Sequence, residues 1–194
     1  MLFPALLTLL LTNIVQVDVP FEIALWPGEG RPVVQSVASV LELREQPFGS
    51  AKIALKFVAA PGQRLQFDET RFRTTRPGHL HAVVATTLRG RRLGSIRILS
   101  RADYYSGKFP DTEINLNAGD AVEYLQYRAE GTCFVRIDGG VVIDSDPCPH
   151  DNRDAFRLVT EPAVEWWVRL VSDDKPIGWL LLTDKTAKVV DREF

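Results

Sequence analysis

The chain has 194 residues, 45% of them hydrophobic and 25% charged, with a formal net charge of −2. That length holds one large β domain or two small ones, and the composition is ordinary for a folded soluble protein. The near-neutral balance gives no global reason to expect nucleic acid or an anionic membrane as partner.

The first seventeen residues stand apart. Met1 to Val17 carries no charged side chain, and its apolar stretch from Ala5 to Leu11 is interrupted only by Thr8. Such a stretch suits the core of a signal peptide and is too short to span a bilayer. Residues 1–17 are therefore expected to be a signal segment that sends the chain to the periplasm or outside the cell. No Lys or Arg follows Met1 there, and no A-x-A-like cleavage site precedes Asp18. A buried N-terminal strand or helix is the alternative, and it would leave the protein cytoplasmic. No integral membrane span is expected.

From Asp18 onward strand-like runs alternate with turn residues. Val33 to Glu45 alternates apolar and polar for part of its length, and Gln46-Pro47-Phe48-Gly49 breaks it. Ala51 to Ala59 alternates cleanly, with Ile53, Leu55 and Phe57 on one face and Lys52 and Lys56 on the other. Pro61-Gly62 turns the chain into a strand carrying Leu65 and Phe67, and Arg76-Pro77-Gly78 turns it again. His79 to Leu88 is apolar and β-branched, and Gly90 and Gly94 bracket Arg91-Arg92.

The stretch from Ala102 to Asp111 is aromatic and turn-rich, the pattern of a loop or a single helical turn. Ala118-Gly119-Asp120 is a turn. Ala121 to Glu130 reads as a strand with Val122, Tyr124 and Gln126 on one face and Leu125 and Tyr127 on the other. Hairpins are expected at Asp138-Gly139-Gly140 and between Ser172 and Pro176. Short strands at this spacing predict an all-β fold, a barrel or sandwich rather than a βαβ unit.

The only cysteines are Cys133 and Cys148. An even, minimal pair in an exported chain points to one disulfide, with two buried thiols as the alternative. One Cys-x-His and a distant Cys fall short of a tetrahedral metal site. His79 and His81 share a strand face without a third ligand at a telling spacing. No nucleophile elbow, phosphate-binding loop or zinc-protease helix motif occurs. The aspartates at 138, 144, 146, 151 and 154 suit a solvated loop better than a catalytic pair or a Ca²⁺ site. No enzyme activity, cofactor or metal is expected. Arginine is concentrated between Arg64 and Arg101, whereas acids dominate from Asp103 onward. That asymmetry implies either a match between the two halves or a basic face for an anionic partner.

Glu165-Trp166-Trp167-Val168-Arg169 followed by Gly178-Trp179-Leu180 resembles the core of SH3 domains, and Leu116 to Asp120 is similar to the turn entering an early strand of that barrel. Val40 to Pro47, with its Leu-Arg-x-x-Pro run, and Pro61 to Leu65 resemble the opening of the bacterial, SH3b-type form. The resemblance implies two small SH3-like β-barrels in tandem, residues 18–100 and 101–194, the second with an insertion around the cysteines. It also implies a non-catalytic binding module. Its ligand would be a peptide, a protein partner or peptidoglycan, held on an aromatic shelf of Trp166, Trp167, Trp179, Tyr104 and Tyr105. Each of these rings has core packing or loop anchoring as its alternative role. A structural or assembly protein of the cell envelope, with no small ligand, is the competing function.

Overall fold

A computed structural model describes residues 20–26 and 30–193, so the expected signal segment lies outside the described residues. The fold is all-β. The strands are β1 (Phe21–Ile23), β2 (Arg31–Ser36), β3 (Val40–Arg44), β4 (Ile53–Val58), β5 (Arg64–Leu65), β6 (Phe67–Arg76), β7 (Gly78–Ala82), β8 (Thr86–Gly94) and β9 (Ile98–Leu99). They continue with β10 (Asp111–Leu116), β11 (Ala121–Ala129), β12 (Thr132–Ile137), β13 (Val141–Ser145), β14 (Phe156–Thr160), β15 (Ala163–Ser172), β16 (Lys175–Leu181) and β17 (Ala187–Glu193). The single α-helix among the described residues, α1 (Arg101–Tyr104), is one turn long. Its N-cap is Ser100, whose Oγ accepts the Asp103 backbone N–H at 3.0 Å. No helix among the described residues is long and apolar enough to cross a membrane.

Both expected hairpins form. In the β15–β16 hairpin Ser172 pairs with Lys175. Asp173 and Asp174 between them have φ of 48° and 59°. Positive φ at both central positions is what a two-residue hairpin loop needs to match strand twist. Asp tolerates that conformation because its short side chain bonds locally. The β12–β13 hairpin closes through a 3-10 turn at Asp138–Gly140, flanked by the pair Ile137 and Val141.

Three sheets result. The first runs β4-β3-β16-β15-β6-β1-β9, the second β10-β8-β13-β12-β11-β7-β14, and the third β17-β2-β5. These are open strand orders, with no closed barrel among the described residues. Both large sheets draw strands from either side of residue 100. β6 pairs with β15 from Arg76 and Ala163 to Phe67 and Leu170. β7 pairs with β11, and β8 pairs with both β10 and β13. The expected partition at 100/101 is therefore not followed by the strand pairing. Of the segments that carry the SH3-like resemblance, Leu116 to Asp120 joins β10 to β11 in the second sheet. Two others lie side by side: β3 meets β16, with Arg44 opposite Trp179. Gly178 permits that approach, since a Cβ there would stand 2.8 Å from the Cβ of Leu43.

Apolar side chains form three cores. Val34, Leu41, Leu43, Phe67, Val168, Leu170 and Leu180 pack between the first and third sheets. Phe21, Ile23, Phe72, Leu99, Leu125, Phe134 and Val142 join the first sheet to the second. Leu80, Leu88, Val122, Tyr124, Val135, Ile143 and Phe156 fill the other face of the second sheet, around the cysteines. Phe134 and Val135 are neighbours on β12 assigned to different cores, as strand alternation requires of a sheet buried on both faces. Each such large apolar side chain stabilises the fold by about 1.5–3 kcal/mol.

Candidate functional site

Trp166 and Trp167 follow one another on β15 and therefore point to opposite faces. Trp167 is 1% exposed and Trp166 40% exposed. The Trp167 indole N–H donates to the Glu165 carboxylate at 3.0 Å. Trp179 is also buried, with the Arg169 guanidinium 5.7 Å above its ring. Of the three tryptophans expected on the shelf, only Trp166 presents a surface. Its ring packs edge-on against Phe72 at 5.0 Å and against Trp26 at 5.5 Å.

The two tyrosines expected beside it lie elsewhere. Tyr104 is buried against Phe134, and Tyr105 stands edge-on to Tyr104 at 5.0 Å with its own ring exposed. Neither lines the cavity next to Trp166. That place is taken by Tyr124 and Tyr127 of β11. With Phe72, Val164, Trp166 and Pro162 they enclose an open groove of about 520 Å³. Its walls are mostly apolar and aromatic, and its volume lies within the range of small-ligand and peptide sites.

The groove exists because β11 is irregular. Its pairing with β12 slips between Tyr124 and Gln126 and again between Tyr127 and Ala129. A β-bulge breaks side-chain alternation and redirects the strand. Tyr124 stays in the cysteine-side core, Leu125 enters the inter-sheet core, and Tyr124, Gln126 and Tyr127 all line the groove. The Leu125 carbonyl accepts the Thr74 hydroxyl at 2.9 Å, which ties β11 to β6 across the sheets. Sequence alternation alone put Tyr124 and Tyr127 on opposite faces. The aromatic spacing of Tyr-x-x-Tyr was visible, but nothing local marked the bulge.

Gln126 is the unusual lining residue. It is 3% exposed, and both polar atoms of its carboxamide lack a hydrogen-bond partner among the described residues. A buried polar group left in that state costs about 1–3 kcal/mol.

Charge is arranged around the groove in two ways. At one end the buried Asp144 carboxylate meets Arg91 Nη2 at 2.6 Å, Arg128 Nε at 3.4 Å and the Tyr104 hydroxyl at 3.0 Å. Arg128 lines the groove and also a neighbouring polar pocket with Arg89, Arg91, Glu113 and Asp144. Burial, and then the Asp144 charge, push the Tyr104 phenol up to about 12. Glu130 and Glu161 also line the groove and are exposed, with Glu161 facing His150 Nε2 at 3.7 Å. Burial raises the Tyr124 phenol too, with Glu161 and Asp151 adding to the effect, and its ring stacks on His150 at 5.4 Å.

The arginine-rich and acid-rich parts of the chain meet in the fold: Arg89 pairs with Glu113, and Arg91 with Asp144. The intramolecular match expected from the charge asymmetry is thus present. Cys133 and Cys148 are bonded, their Cα atoms 5.1 Å apart. Among the described residues no cluster of three or more His, Cys, Asp or Glu side chains is placed to hold a metal ion.

Comparison of the chain with family models, with curated proteins and with solved structures finds no match.

Proposed function

We propose that this chain is a non-catalytic, exported binding module that takes an extended peptide segment in the groove beside Trp166. The observation that carries this reading is the groove itself. It is an open, apolar slot walled by Phe72, Tyr124, Tyr127 and Trp166, with a few polar groups along it. Rigid aromatic rings give large contact area at small entropic cost, and slots of this kind receive extended peptides. The disulfide agrees with export, since such bonds persist in oxidising compartments.

A randomised heptapeptide library, scored by fluorescence anisotropy, tests the reading, with sedimentation of purified peptidoglycan run in parallel. Peptide binding at micromolar strength that Trp166→Ala removes while the variant stays folded supports it. Binding to peptidoglycan alone, or peptide binding that ignores Trp166, overturns it.

A second reading, an envelope assembly protein, is favoured by one feature. The edge strand β4 exposes Leu55 and Val58, next to exposed Val40 on β3. Exposed apolar edges invite pairing with another chain. Lys56 on the same strand and Lys52 just before it, paired with Glu42 and Glu45, oppose it.

A further inference from the structure

The groove has a second property besides its aromatic walls. On one side β11 pairs with β12 along most of its length, from Glu123 to Ala129. On the other side it pairs with β7 only from Ala121 to Tyr124, because β7 begins at Gly78. Beyond that point no strand among the described residues pairs with β11 on this side; the Leu125 carbonyl is taken by the Thr74 hydroxyl and the Ala129 carbonyl by the Thr132 hydroxyl. The segment from Gln126 to Ala129 therefore runs along the groove as a half-paired strand. Gln126, with its unpartnered carboxamide, sits at the start of that segment.

We propose that the occupant is recognised through its main chain: an extended peptide adds as a strand alongside Gln126–Ala129, with one of its residues offering N–H and C=O to the Gln126 carboxamide. This rests on the peptide-groove reading above and specifies its chemistry. A half-paired strand offers both donors and acceptors, and a carboxamide offers one of each. In an extended residue the N–H and C=O lie on the same side of the chain, so both reach one carboxamide. A polyproline segment has acceptors only and leaves the donors' counterparts unmet. The carboxamide atoms are buried, so pairing needs a rotation of the Gln126 side chain toward the occupant. Relief of its unsatisfied state favours that rotation. The rim adds a charge preference. Glu130 and Glu161 are exposed, whereas the Arg128 guanidinium is held by Asp144. An occupant with flanking Lys or Arg complements Glu130 and Glu161, of which Glu161 also faces His150 Nε2 at 3.7 Å.

Three probes test this on the full chain: a Lys-flanked heptapeptide library, the same library N-methylated at alternate residues, and hexaproline. The expected result is binding of the first, at least tenfold weakening by N-methylation, and no tighter binding of hexaproline. Hydrogen exchange at the Gln126–Ala129 amides should slow on binding of the first library. Gln126→Leu, which removes the unsatisfied group and so keeps the fold, should weaken the first library at least tenfold. Equal binding of the two libraries, tighter binding of hexaproline, or unchanged exchange at Gln126–Ala129 overturns main-chain recognition while leaving the aromatic groove standing. No binding of any probe overturns both. If an acid-flanked library binds as well as the Lys-flanked one, the charge preference falls.

Discussion

The Tyr104 hydroxyl donates to Asp144 at 3.0 Å, from a residue that precedes it by 40 positions and ends the only α-helical turn among the described residues. The same carboxylate takes Arg91 and Arg128, and both guanidiniums lie over the Tyr104 ring, at 4.4 and 5.4 Å. One buried anion thus holds two cations and a phenol together. Removing the anion alone leaves the cations uncompensated. Asp144→Asn is expected to destabilise by about 3–5 kcal/mol. Tyr104→Phe, which deletes one hydrogen bond to a charged acceptor, should cost about 1.5–3 kcal/mol. Urea unfolding of both variants checks the order, and a milder effect for Asp144→Asn than for Tyr104→Phe would count against the network.

The same cluster sets a pH dependence. The Tyr104 phenol is raised from 10.0 to about 12 in the fold. Below pH 10 folded and unfolded states are both protonated, and the contribution is fully present. As pH rises from 10 to about 12 the unfolded phenol ionises first, so stability falls. The stability gap between the parent and Tyr104→Phe should therefore narrow across that window. Lysines and the other tyrosines titrate in both proteins and cancel. Urea midpoints at pH 9 and pH 11 measure the gap, and a constant gap rules the effect out.

Trp166 and Trp167 should separate binding from stability. Trp167 is fully buried, and Trp167→Ala is expected to cost about 3–5 kcal/mol. Trp166 keeps 40% of its surface exposed, so Trp166→Ala should cost distinctly less and act on peptide affinity. Thermal melts and anisotropy titrations of the two variants distinguish them. Equal destabilisation would place Trp166 in the core instead of the site.

The Cys133–Cys148 bond closes a loop of 15 residues. On the chain-entropy model such a loop stabilises by about 3 kcal/mol. Double replacement of Cys133 and Cys148 by Ser, or reduction of the parent, should lower the urea midpoint accordingly. A parent whose midpoint is indifferent to reductant would mean that the bond contributes nothing to stability.

Much of the local structure was legible in the sequence because it depends on neighbouring residues. The turn at Ala118-Gly119-Asp120, the two hairpins and the helical turn after Ser100 each follow from a Gly, an Asp or a capping hydroxyl at the right offset. The opposite facing of Trp166 and Trp167 follows from strand geometry alone. The half of the site on β15 was named through the resemblance to SH3 domains, which also placed Trp167 and Trp179 on the shelf, and both of these are buried. The half on β11 was missed: Tyr104 and Tyr105 were expected beside Trp166, and Tyr124 and Tyr127 stand there.

By itself the sequence determined the all-β class, most strand positions, the turns and the cysteine pair, because alternation and turn chemistry act over a few residues. The tertiary structure alone decided which strands become neighbours. β3 joins β16, and β6 joins β15 across nearly a hundred residues. Such pairings are selected by burial of whole apolar faces, and alternation is the same for any partner. The bulges that bend β11 arise from how two sheets share one core, and no local residue pattern specifies them.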